Sequence, residues 1–464
     1  MLPLVLLALA CGPTDEPDDT NAPALAAEAT LEDDIPTVAW VRWETDDPGT
    51  SWVEYGPTKD LGRTTVPGTV ASTAHAVLLA GMSPRSTWYW RAVTEIDGEL
   101  HKSQMMTLET GVAPRELPEV ENTSYDASLA LPGYTITTSL GVNAWLIVFD
   151  TEGNPVWWKA ADEGTVFAQV RLSPDGTSIL YNVASLNFGT DVGEIRRIRL
   201  DGEQLSATRT VMGHHDFVGL PEGGFAYIAA DTREWVNPDD GLTYTVVGDT
   251  LMEVPEGATD DSGNRAVWST WDDLTVAVSP TEDDDFYPFG LDWTHSNSLK
   301  FDEDTGTYVM SVRKEDAVAQ IDRASGDLLW TLGGVASDFT RTEGRAFVGQ
   351  HSPEFIAADR FMLFDNGDIN APDAYSEAVE YSVDMDARTY TPVWHYDLGQ
   401  RISSYLLGDV ERLANGNTLI AWGSGGTITE VTPDGETAFQ VSLSIGAAIG
   451  FTHHIDALGG VETP

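Results

Sequence analysis

The chain has 464 residues, 42% hydrophobic and 15 of them tryptophan, enough for two or three domains with full cores. Its 74 Asp and Glu outnumber 25 Lys and Arg, a net charge of −49. Such a surface cannot displace counterions from a phosphate backbone, which excludes nucleic acid as a partner. The acidity reads as a solvated shell that keeps the protein soluble, and any site for an anion would need local donors strong enough to reverse the field. The single cysteine, Cys11, leaves no intramolecular disulfide to be made.

In chain order, residues 1–10 form an apolar run too short to span a bilayer, ending Ala8-Leu9-Ala10 directly before Cys11. Small and aliphatic residues before a cysteine resemble the bacterial lipobox. That resemblance implies a lipoprotein signal peptide over 1–10 and lipidation of Cys11, which becomes the mature N-terminus. Residues 11–24 are acidic and Pro-rich and suit a flexible tether. Gly12 after the cysteine, by resemblance to lipoprotein sorting, favours the outer membrane. The expected location is therefore the cell envelope, at the outer membrane or its periplasmic face, with the lipid as the sole membrane contact.

Residues 25–112 read as a small β-sandwich. Thr37–Glu44 alternates, Trp52–Gly56 supplies a second strand, Ala76–Ala80 and Thr87–Val93 continue the series, and Ser103–Leu108 ends it. Leu79-Ala-Gly-Met-Ser-Pro-Arg-Ser-Thr-Trp-Tyr89 resembles the fibronectin type III pattern, in which Tyr89 would hold a corner by bonding back to the backbone. His75 and His101 read as strand or surface histidines. Thr110–Pro114 is a linker.

From 118 to 460 the sequence repeats with a period of roughly 50–60 residues. One half of each repeat is a strand pair of the form apolar–x–apolar–Asp–x–x–Gly–x–x–x–Trp, seen at Trp145–Trp157, Leu251–Trp268, Val318–Trp330 and Val379–Trp394, and without the Trp at Ile195–Gly202 and Ile428–Gly435. The other half is a hairpin with Pro-Asp-Gly or Asn-Gly at the turn, as in Val166–Leu180 and Leu407–Ile420. Four strands per unit and six units predict an all-β fold, a six-bladed β-propeller preceded by the small sandwich. A half-copy at Thr452–Gly460 would pair with the start of the ring and close it.

Aligning the hairpins on Leu172, Leu220, Phe301 and Leu413 brings His214, His295 and His351 into one column. The remaining copies have Val166, Leu407 and Thr452 there. A lone histidine at such a position would be structural, whereas three converging on one axis mark a reaction centre. His215 is the alternative to His214 if the register slips by one. Arg313 ends the strand that returns from His295, which puts both at one end of a hairpin; a salt bridge to Glu315 or Asp316 is the other role open to it. No His-Glu-x-x-His, Cys-rich spacing, phosphate loop or serine elbow is present, and zinc held by three histidines stays open as a lesser alternative.

Gly213-His-His-Asp-Phe-Val-Gly-Leu-Pro, Asp292-Trp-Thr-His-Ser-Asn-Ser-Leu, Ser311-Val-Arg, Ile321–Gly334, Gly349-Gln-His, Phe364-Asp-Asn-Gly367 and Gly408–Leu419 resemble, in order, the bacterial arylsulfate sulfotransferase family. The resemblance covers most of residues 120–450. It implies transfer of a sulfuryl group from a phenolic sulfate ester to a phenol acceptor by a ping-pong route, with no nucleotide donor and no cofactor. It further implies His351 as nucleophile forming a sulfohistidine, Arg313 and His295 as a clamp on the sulfuryl oxygens, and His214 or His215 as a further clamp or acid–base group. Lys314-Glu315 stands where family members often carry a histidine. The alternative reading is a non-catalytic ligand- or protein-binding propeller at the cell envelope. Pairing of protomers through the first domain is left open.

Overall fold

The computed structural model describes residues 25–140, 144–173, 175–185, 191–278, 286–399, 402–444 and 448–461; the apolar run 1–10, Cys11 and the tether lie outside them. In the first domain, the two stretches around Thr37–Glu44 and Trp52–Gly56 fuse into one strand, Ala39–Gly56. Its first half pairs with Ala27–Leu31 and Ser72–Leu79, and its second with Arg63–Thr64 and Thr87–Ile96. The register shift between Glu44 and Gly49 lets a single strand serve both sheets. The last strand is split into Glu99–Lys102 and Met106–Glu109, because Ser103 between them accepts the Ala92 amide on its hydroxyl. Trp43, Tyr55, Trp88 and Trp90 fill the space between the sheets. Alternation then puts Tyr89 on the opposite, half-buried face, and the expected corner bond is not among the hydrogen bonds of the described residues.

Six sheets, each built on four antiparallel strands, follow and form a six-bladed propeller. The innermost strands, in blade order, are Ile449–Ile455, Thr165–Leu172, Gly213–Gly219, Ser296–Asp302, His351–Ala357 and Asp409–Arg412. The repeated strand pairs of the sequence supply the two outer strands of each blade. The ring closes twice. Ile449–Ile455 completes the first blade against Tyr134–Ser139, and Val120–Tyr125 adds a fifth strand to the outside of the last, against Thr437–Leu443. Each closure hides a strand edge that would otherwise template aggregation.

The blades are also belted together around the channel by buried polar side chains. His453 bonds Gln169 at 2.9 Å, Gln169 donates to Asp216 at 3.0 Å, and Asp216 accepts the Leu299 amide at 2.8 Å. Asn297 donates to the Gln350 carbonyl, Asn366 to the Leu407 carbonyl, and Asp409 accepts the Thr452 amide. All six blade junctions carry such a link. Placing polar groups where wedge-shaped blades meet leaves them satisfied by the next blade rather than by water.

The first domain seats on the ring's first two blades. Gly459–Gly460, just past the closing strand, pairs with Ser72–Leu79. Tyr55 and Arg63 reach the Tyr134 hydroxyl at 2.9 and 3.0 Å, and Trp40 donates to Asp201 at 3.1 Å. Among the described residues the one α-helical segment is Thr270–Asp273, and none there is long and apolar enough to cross a membrane.

Candidate active site

The innermost strands repeat the same meander and so run in one direction, gathering their N-terminal ends at one mouth of the channel. Three neighbouring blades bring imidazoles there. His214 and His215 lie at the start of Gly213–Gly219, His295 directly precedes Ser296–Asp302, and His351 opens His351–Ala357. Val312 pairs with Ser296, so Arg313, the next residue, returns to the end of the hairpin where His295 sits. Gly349, at φ +63, makes the turn into His351; a Cβ there would lie 3.8 Å from an Arg313 nitrogen.

His215, rather than His214, is the centre of the group. A register shift between His214 and Phe217, with His215 at φ +52, swings its ring inward, which strand alternation alone does not foretell. The His215 ring lies 5.0 Å from His214 and 5.1 Å from His295. Burial first, then the charges of His214, His295, His351 and Arg313, hold its imidazole well below the usual histidine range. His351 is likewise pushed down to about 3 by burial and then by Arg313. Both rings are therefore neutral near pH 7.

Each of the other imidazoles is tied down from behind. His214 Nε2 meets Asp249 Oδ1 at 3.1 Å, and its Nδ1 faces His215 Nδ1 at 2.8 Å. Burial alone would raise the Asp249 carboxyl, but His214, Thr294 and the Ser296 amide hold it below the ordinary value. His295 Nδ1 meets Asp292 Oδ2 at 2.6 Å, with Lys314 at 3.6 Å from the same oxygen. His351 Nδ1 meets Asn366 Oδ1 at 2.7 Å. Asp316, whose carboxylate takes the Gly349 amide at 2.8 Å, feels the Arg313 charge, while Glu315 accepts from Trp293 instead.

Asp249, Asp292 and Asn366 escape a reading built on the histidine column, because each sits on a different strand from the ring it holds or in the approach to it. Asp292, three residues before His295, carries the nearest sequence signal. Phe286 also goes unread: it stacks on His215 at 5.5 Å and 29° and lies 4.0 Å from the His295 ring. Among the described residues no three His, Cys, Asp or Glu side chains are arranged to hold a metal ion. The arrangement offers neutral imidazoles beside a guanidinium and two carboxylate-backed histidines, which suits nucleophilic attack on, and charge stabilisation of, an oxyanion.

Crystal structures similar to the chain include a protein of unknown function from Bacteroides caccae, at 14% identity and a TM-score of 0.41, covering 69% of this chain and 98% of that one. A Pseudomonas aeruginosa periplasmic gluconolactonase stands at 12% and 0.41, covering 70% and 100%. A virginiamycin B lyase from Staphylococcus aureus stands at 11% and 0.35, covering 69% and 88%. At these values none bears on activity. No curated protein matches the chain. The family model for arylsulfotransferase (ASST), in contrast, matches residues 119–447, a span from the outer closing strand through all three histidine-bearing blades. The chain belongs to the arylsulfotransferase family.

Proposed function

We propose that the protein transfers a sulfuryl group from a phenolic sulfate ester to a phenol in two displacements, without a nucleotide donor, through a transient sulfohistidine on His351. The observation that carries this reading is a buried His351 opening its inner strand at the mouth where Arg313, His295 and His215 gather, with burial and then Arg313 favouring its neutral form. Sulfuryl transfer, like phosphoryl transfer, passes through a loose transition state with charge on the equatorial and leaving oxygens. Arg313 and His295 would take the equatorial charge and offset the field of a chain at −49.

In the first step an imidazole nitrogen of His351 forms the N–S bond as the aryl O–S bond breaks. The leaving phenolate takes a proton from a neighbouring imidazole. In the second, the acceptor phenol returns that proton to the same imidazole, its oxygen bonds sulfur, and the N–S bond breaks. The Asp249–His214–His215 chain suits such proton traffic, since both His214 nitrogens are engaged, Nε2 with the Asp249 carboxylate and Nδ1 with His215 Nδ1. Phe286, beside His215 and His295, offers an aromatic face to an aryl donor. We further infer a fibronectin type III-like first domain, from the way Ala39–Gly56 pairs with Ala27–Leu31 and Ser72–Leu79 in one sheet and with Arg63–Thr64 and Thr87–Ile96 in the other, and lipid anchoring through Cys11 at the cell envelope, from the sequence before it.

The test incubates the purified chain with an aryl sulfate and a phenol and searches the digest for an adduct of sulfuryl mass. Acceptor-dependent phenol release with the adduct on His351, both lost in His351→Ala, is the expected result. No release and no adduct across several donors would make the ring a binding propeller instead.

A further inference from the structure

Three imidazoles in the site have a ring nitrogen tied from behind, and the ties differ in chemistry. His214 and His295 meet carboxylates, Asp249 and Asp292, whereas His351 meets the amide of Asn366. A carboxylate stabilises an imidazolium, while an amide oxygen accepts a hydrogen bond without contributing a charge. The Asn366 amide is itself fixed. Its nitrogen donates to the carbonyls of Ser404 and Leu407, both at 2.6 Å, in the chain leading to the sixth blade. Its oxygen must therefore be the atom that faces His351. Because that oxygen can only accept, His351 Nδ1 must carry the proton, and in the neutral ring the lone pair stands on Nε2.

We propose that Asn366 is a positioning residue that locks His351 in the Nδ1–H tautomer, making Nε2 the atom that takes the sulfuryl group, and that its being an amide reserves this ring for nucleophilic attack. The inference rests on the reading of the site given above. The Nε2 lone pair forms the N–S bond, the aryl O–S pair leaves on the phenolic oxygen, and the Nδ1 proton stays where it is. The sulfated ring is then a cation, and a cationic imidazole is a good leaving group in the second displacement. A carboxylate at position 366 would draw the Nδ1 proton toward itself and leave a neutral ring that holds its sulfuryl group longer. The charged and titratable groups facing His351 come from the neighbouring blades, Arg313 and His295 from one and His215 from the next.

The direct test is a nitrogen-15 spectrum of the full chain labelled at histidine, with the His351 signals identified by their loss in His351→Ala. A protonated Nδ1 and a bare Nε2 are expected; a protonated Nε2 with a bare Nδ1 overturns the proposal, and this measurement needs no variant at position 366 to fold. Kinetics add a second reading. Asn366→Ala should lose the tautomer and slow adduct formation at least tenfold. Asn366→Asp should still form the adduct but release it to phenol at least tenfold more slowly, so that it accumulates. Both variants forfeit the two bonds to Ser404 and Leu407, so their difference reads the acceptor oxygen together with the charge it carries. Wild-type tautomer and rates in Asn366→Ala would overturn the proposal. A bare Nε2 with no adduct on any donor would support the tautomer and overturn the sulfuryl reading, and an adduct on a ring that carries its proton on Nε2 would do the reverse.

Discussion

The three blades that gather imidazoles at the channel mouth and the three that bring none there share one inner-strand design, yet they treat that mouth in opposite ways. Register shifts interrupt the inner strands of five blades, at Phe167/Val170, His214/Phe217, Ser296/Ser298, His351/Glu354 and Ile449/Thr452. In the three blades that bring no imidazole to the mouth, inner-strand residues that the sequence aligns with these histidines close on themselves. Val166 packs with Ala144 and Ala184, and Thr452 shares a 2.8 Å bond with Thr137. In the other half the same positions hold rings backed by Asp249, Asp292 and Asn366. The contrast teaches that the bulged strand is a property of the fold, whereas the chemistry comes from which side chains occupy the mouth and what lies behind them. The circumferential belt runs through both halves and meets the reacting one at Asn366, which ties the fifth blade to the sixth and holds His351.

The largest expected effect would break that separation if it failed. Asp216 accepts the Phe217 and Leu299 amides and the Gln169 side chain, entirely inside the ring. Asp216→Ala strands these donors at about 1–3 kcal/mol each, so a loss of several kcal/mol in unfolding free energy should appear in a denaturant titration. A near-neutral result would mean the belt does not hold the blades. Next comes Arg313→Ala, expected to lower kcat about 10²–10³-fold, the range for removing one oxyanion donor, with little change in the denaturant midpoint. Arg313→Lys should recover only part of the loss, since a point charge replaces a planar fork. An equal loss of stability and activity would assign Arg313 to structure, paired with Asp316, rather than to the sulfuryl oxygens.

The division between halves was visible in the sequence because it is written in single residues at a repeated register: His214, His295 and His351 against Val166, Leu407 and Thr452. The six units were legible for the same reason, since each turn is local and carries its own Gly, Asn or Asp. What stayed hidden depends on pairing over long separations. Asp249 serves Thr294 and Ser296, 45 and 47 residues away, and Asn366 ties His351 to carbonyls of the next blade. The bulge that makes His215 central leaves no mark in alternation, because an extra residue shifts the face of everything after it. Val120–Tyr125, at the edge of the last blade, lies over 300 residues from its partner strand, and no local pattern declares such a closure.

The smallest effect sharpens the comparison by reading one proton. His351 sits at about 3 in the fold, lowered by burial and Arg313, against an ordinary value of 6.5 in the unfolded chain. Between those values the unfolded chain binds a proton that the folded chain refuses. The folded state is therefore favoured above pH 6.5 and loses this contribution as pH falls toward 3, by up to about 1.4 kcal/mol per pH unit. His215, also lowered, acts in the same direction, while Asp365, raised to about 7 chiefly by burial, opposes it over part of the same range. Both remain in His351→Leu, so the difference between the two stability curves isolates one ring. The wild type should lose stability between pH 6 and 4 more steeply than His351→Leu, by nearly one proton. Parallel curves would mean that His351 accepts a proton in the folded site, and a cationic ring there could not be the nucleophile that separates this half of the propeller from the other.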